Sequence, residues 1–94
     1  MLLYRGVPTA WAAPPLSNEI VQIDELPPVW PAADGEVRGL ALEPLHPTAP
    51  GLAGSDPWMY EMLALIDGIR IGDARVRRVA KDLLHVRLEA RAGA

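Results

Sequence analysis

The stretch Ser55-Asp56-Pro57-Trp58-Met59-Tyr60-Glu61-Met62-Leu63-Ala64-Leu65-Ile66-Asp67-Gly68-Ile69-Arg70-Ile71-Gly72-Asp73 decides the fold. Ser55-Asp56-Pro57 opens a helix: a short side-chain oxygen accepts the orphan amides of the first turn, and a proline at the first helical position gives up no hydrogen bond. Trp58, Met62, Leu65 and Ile69 then recur at helical spacing, and Met59, Leu63 and Ile66 form a second stripe beside them. At about 100° per residue the two stripes merge into an apolar arc of roughly 160°. So wide an arc implies either a helix sandwiched between strands and a neighbouring helix, or one with part of its face at an interface with another molecule. Glu61, Asp67 and Gly68 mark its expected solvent side.

Gly72 is placed to end this helix, since glycine adopts the left-handed conformation that closes a last turn, and Arg70 suits the negative end of the helix dipole. Asp73 caps a second helix whose expected core face is Val76, Val79, Ala80, Leu83 and Val86. The short Ile71-Gly72-Asp73 connection requires the two helices to pack as an αα-hairpin. Opposite that core face lie Arg77, Arg78, Lys81 and His85, with Arg78 spaced to pair with Asp82. Leu84 and Leu88 fall between the core face and Arg77/Lys81, giving the helix an apolar flank beyond what its hairpin partner needs.

Upstream the chain has another character. All ten prolines lie between Pro8 and Pro57, grouped as Pro14-Pro15, Pro27-Pro28 with Pro31, and Pro44, Pro47 and Pro50. Only short strands, turns and extended segments fit between such groups. Strands are expected at Glu19 to Asp24, at Val37 to Leu42 and at Leu2 to Tyr4. Asp34-Gly35 reads as a tight turn with positive φ, joining Val29-Trp30 to Val37-Arg38 as a hairpin. Glu43 to Ser55 reads as a linker, and Trp11 and Trp30 as indoles packed beside prolines. Pro27-Pro28-Val29-Trp30-Pro31 also reads, more sharply, as a polyproline ligand. The expected architecture is a single α+β domain over residues 1–94: short strands in an acidic, proline-rich part (1–54) packed on a C-terminal αα-hairpin (55–94).

Charge follows the same division. Residues 1–69 hold two basic and nine acidic side chains, net −7, whereas residues 70–94 hold seven basic and three acidic, net +4. That polarity seats a phosphate backbone or an acidic protein, or lets the two halves attract each other.

Composition excludes several classes of chemistry. There is no cysteine, and His46 and His85 are the only histidines, so disulfides, thiol nucleophiles and a zinc site lack their ligands and no metal is expected. The apolar runs are shorter than a membrane span, and Arg5, Gly6 and Pro8 break the opening run before a signal-peptide core forms; a cytoplasmic protein is expected. Gly51-Leu52-Ala53-Gly54-Ser55 lacks the lysine of a phosphate-binding loop, and no hydroxyl or carboxylate pair forms a recognisable catalytic motif. No catalytic residue, cofactor or small-molecule substrate is implied.

The expected function is a non-enzymatic interaction or regulatory module that binds another protein, or itself as a homodimer, through Trp58, Met59, Leu63, Leu84 and Leu88. The alternative is a small antitoxin-like nucleic-acid-binding regulator with Arg75, Arg77, Arg78, Lys81 and Arg91 on phosphates.

Overall fold

A computed structural model describes residues 3–20 and 26–92. The protein is an α+β fold with a small three-stranded sheet in its N-terminal part and a C-terminal helical pair. Strand β1 (Leu3–Pro8) is the spine of the sheet. Its first half, Leu3 to Gly6, pairs antiparallel with β3 (Val37–Ala41), and its second half, Gly6 to Pro8, with β2 (Pro28–Pro31). β2 and β3 then pair with each other in parallel, Pro28 opposite Leu40 and Val29 opposite Ala41, which closes the three strands into a minimal barrel.

The hairpin expected through Asp34-Gly35 is therefore corrected: β2 and β3 run in the same direction, each antiparallel to β1. The 32–36 connection wraps across β1 instead of folding straight back. Gly35 is needed there for close approach, since a Cβ on it would lie 2.4 Å from Gly6 Cα, and no described glycine has positive φ. Gly6 is equally crowded, with a Cβ falling 2.1 Å from the Trp30 carbonyl oxygen.

After β1 the chain turns at Ala10, whose φ of 52° is left-handed, a conformation that costs a non-glycine residue roughly 1–2 kcal/mol. This turn leads into a 3₁₀ turn (Ala10–Ala12) and helix α1 (Leu16–Glu19). The strand expected at Glu19 to Asp24 fails at its start, because Glu19 closes α1; residues 21–25 lie outside the described residues. The expected linker is built of helical turns, a 3₁₀ turn (Ala49–Gly51) and α2 (Leu52–Ser55), pinned by the buried methyl of Ala49.

Helix α3 (Pro57–Ile71) starts as its sequence requires, with Asp56 Oδ1 accepting from the Met59 amide at 3.1 Å. Asp73 caps α4 (Ala74–Ala92) in the same way, accepting from the Val76 amide at 2.9 Å. Gly72 is extended (φ −75°, ψ 161°), not left-handed. Glycine is required by space: a Cβ would stand 2.4 Å from the Gly68 carbonyl and 2.5 Å from Val76 Cγ1.

α3 is the middle layer. One side packs on α4 and α1 through a core of Leu16, Ile20, Leu65, Val76 and Ala80. The other meets the N-terminal part, where Asp67, expected in solvent, is buried. Its Oδ2 accepts from Thr9 Oγ1 and Trp30 Nε1, both at 2.7 Å, and its Oδ1 from Arg70 at 2.8 Å. Gly68 is buried too, and Glu61 is half-buried in an ion pair with Arg87. Sandwiching thus overrides the expected polar face. Tyr60 donates its hydroxyl to the Pro8 carbonyl at 2.5 Å and meets Trp30 edge-on, with ring centroids 5.7 Å apart. Trp30 is buried in β2 with its indole N–H engaged, so it is no exposed polyproline ligand.

Candidate interaction face of the helical hairpin

The face left over when α3 has packed on both sides is narrow and apolar. Met59, Leu63, Ile66 and Arg70 recur four, three and four residues apart, a single strip on a helix of 3.6 residues per turn. Met59 is 38% exposed, Leu63 and Ile66 are half-buried, and Arg70 leans in on Asp67 at the C-terminal end. On α4, Leu84 and Leu88 stand one turn apart on the flank beside Arg77 and Lys81. Leu84 is half-buried against the core, and Leu88 is 49% exposed.

These two flanks lie on the same side of the hairpin. Two right-handed helices that face each other antiparallel run their residue numbering in opposite rotational senses. The flank reached by turning the same way from each core face therefore opens to the same side. On α3 that turn leads from Leu65 to Ile66 and Met59, and on α4 from Val76 and Ala80 to Leu84 and Leu88. The result is a shallow trough with Met62 at its floor.

The expected interface residues divide accordingly. Met59, Leu84 and Leu88 open to one side of the hairpin, whereas Leu63, about 160° round α3 from Leu65, lies on the side away from α4. Trp58 is turned toward α4, where the Arg91 guanidinium stacks 4.3 Å above its ring. That cation–π contact joins the two open ends of the hairpin, so Trp58 and Arg91, assigned from sequence to different surfaces, form one contact.

The basic residues are less uniform than their spacing implies. Arg75, Arg77, Arg78 and Lys81 are all exposed, but Arg75 projects from the flank opposite Arg77 and Lys81. Arg78 makes no ion pair with Asp82; on that side of α4, His85 pairs with Glu89 at 2.9 Å. Two ion pairs join the acidic segment 1–69 to the basic segment 70–94, Arg70 with Asp67 and Arg87 with Glu61, while no described pair links α4 to residues 3–20 or 26–54. Val86, expected in the core, is 61% exposed. α1 reaches only the upper part of α4, where Val79 and Leu83 pack on the core, and Val86 lies one turn beyond it.

Two other features bear on chemistry. Depressions of about 330 Å³ and about 280 Å³ lie on the sheet side, the first lined by Tyr4, Arg5 and Pro31, the second including Asp34 and Glu36. The contact between Thr9 and Asp67 pairs a hydroxyl with a carboxylate, yet both are sealed from solvent, so no substrate reaches them. Burial, with Glu61 adding a smaller effect, raises the Tyr60 phenol from 10.0 to about 12, which keeps it a donor to Pro8. His46 sits in an exposed loop, its Nδ1 2.8 Å from Thr48 Oγ1. The described residues include no cluster of three or more metal-ligating side chains and no helix long and apolar enough to cross a membrane. Sequence reasoning missed the Thr9, Trp30 and Asp67 junction. No local signal gives it, because an aspartate on the presumed wet side of a helix reads as solvated.

Comparison of the chain with protein-family models, with curated proteins and with solved structures finds no match in any of the three.

Proposed function

We propose that this chain is a cytoplasmic, non-enzymatic protein-interaction module whose working surface is the open face of the αα-hairpin. The observation that carries the reading is the apolar face of Met59, Ile66, Leu84 and Leu88, on which Met59 is 38% and Leu88 49% exposed. Removing such a strip from water is worth roughly 25 cal/mol per Å² of apolar surface, which favours a partner that fills it. The one hydroxyl and carboxylate in mutual contact, Thr9 and Asp67, are buried as a structural donor and acceptor, which also favours a binding role over catalysis.

The test is a photo-crosslinking residue placed at Leu88 and, in a separate chain, at Leu45, which is equally exposed but lies in the loop before α2. The expected result is one discrete protein adduct from position 88 that survives nuclease, with none from position 45. Equal adducts from both positions, or a nucleic-acid adduct at 88, overturns the reading.

The second reading, phosphate binding, is favoured by Arg77, Arg78 and Lys81, all exposed and none ion-paired among the described residues. It requires affinity for duplex DNA that falls steeply with salt.

A further inference from the structure

The charge around the trough narrows the partner's chemistry. On α4, Arg77 and Lys81 continue the strip of Leu84 and Leu88 toward the N-terminus of the helix, both exposed and neither within ion-pair distance of a described carboxylate. At the C-terminal end of α3 stands Arg70, whose guanidinium neutralises Asp67 while its outer edge stays in solvent. The hairpin's own acids are directed elsewhere: Glu61 to Arg87, Glu89 to His85, and Asp67 into the buried junction. Asp82 projects from the outer side of α4, and Asp56 and Asp73 are held at the N-caps of α3 and α4, Asp73 one turn before Arg77. Cations thus gather at one end of the apolar face, where the C-terminus of α3 meets the first turns of α4.

Resting on the reading of this face as a protein-docking surface, we infer that its occupant is an acidic amphipathic helix of a different protein. Such a helix lays apolar residues at i, i+3, i+4 and i+7 into a trough between two helices, and its flanking carboxylates meet Arg77 and Lys81. A second copy of this chain fits less well. A two-fold contact is self-complementary, so the copy's own Arg77 and Lys81 would be brought to a face that already carries the same cations.

The test uses two synthetic peptides about 18 residues long, five helical turns. Both carry leucine on one face; one has glutamate on the flanks and the other lysine at the same positions. Each is titrated against the full chain by fluorescence anisotropy, with methyl chemical shifts mapping the contact. The glutamate peptide is expected to bind at least tenfold more tightly than the lysine peptide, to shift Met59, Ile66, Leu84 and Leu88, and to lose that margin as salt rises. In the doubly reversed chain, R77E with K81E, the preference inverts.

Equal binding of both peptides in the trough overturns the acidic occupant while leaving the protein-docking reading intact. A short DNA duplex that shifts the same methyl groups and outcompetes both peptides overturns the docking reading itself. Sedimentation as a dimer that protects Leu88 without peptide assigns the face to self-association and overturns the inference.

Discussion

Trp30 Nε1 lies 2.7 Å from Asp67 Oδ2, and the two residues, 37 positions apart, are each only 1% exposed. This bond joins β2 to the middle of α3. The same oxygen takes the Thr9 hydroxyl at 2.7 Å, so one carboxylate ties both β2 and the end of β1 to the hairpin. A buried donor left unpaired costs about 1–3 kcal/mol, and Asp67 serves two such donors.

Asp67→Ala is therefore expected to cost about 3–5 kcal/mol, a large part of the stability of a chain this size. Arg70→Ala leaves the buried carboxylate without its counter-charge but with both neutral donors, so it is expected to cost less, about 2–3 kcal/mol. Urea unfolding of the two variants checks the order. Equal losses would mean that the ion pair, not the pair of neutral donors, dominates the junction.

Two glycines separate crowding from flexibility. Gly6→Ala drives a methyl into the Trp30 carbonyl, backbone that cannot swing aside, and is expected to cost at least about 3 kcal/mol. Gly54, in α2, has open space within 4 Å of the position a methyl would take, so Gly54→Ala is expected to gain about 0.5–1 kcal/mol from helix propensity. Thermal melts of both variants give the comparison, and a harmless Gly6→Ala would contradict the closed three-strand arrangement.

Alkaline pH acts through Tyr60. Its folded phenol is raised from 10.0 to about 12, so the folded state holds the proton more tightly than the unfolded chain. The associated stability is complete below pH 10 and is lost as pH rises from there through 12. Phenolate absorbance should show one tyrosine titrating late, and Tyr60→Phe should remove that late step. A Tyr60 that ionises with the free phenol would contradict its burial beside Trp30.

The hairpin is legible in the sequence because its signals are local. Caps at Asp56 and Asp73 and apolar recurrence on both helices specify it without reference to the rest of the chain. The sheet is legible only as strands: Val37–Ala41 and part of β1 announce themselves, while their order depends on Gly6 and Gly35 meeting in space. Asp67 misleads for a similar reason. A carboxylate in a helix reads as solvent-facing unless Thr9 and Trp30, far away in sequence, are known to reach it. Val86 shows the converse, an apolar residue at core spacing that the short α1 fails to cover. Trp58 likewise carries the sequence signature of an interface residue, yet Arg91, 33 positions later, already occupies its ring face.

Val86 offers a direct check of that difference. Val76→Ala, at a site 2% exposed, is expected to cost about 1–3 kcal/mol, and Val86→Ala less than about 0.5 kcal/mol. Similar costs would place α4 in another rotation against α3, and would move Leu84 and Leu88 off the open face.

The most direct measurement of the central claim is the double variant Met59→Asp with Leu88→Asp, tested for capture of the protein crosslinked at position 88 and melted in parallel. The account predicts a melting temperature close to that of the unaltered chain, because both side chains are exposed, together with loss of capture, because the trough now carries two charges. Capture that persists, or a variant that unfolds, would contradict the assignment of this face as a free docking surface.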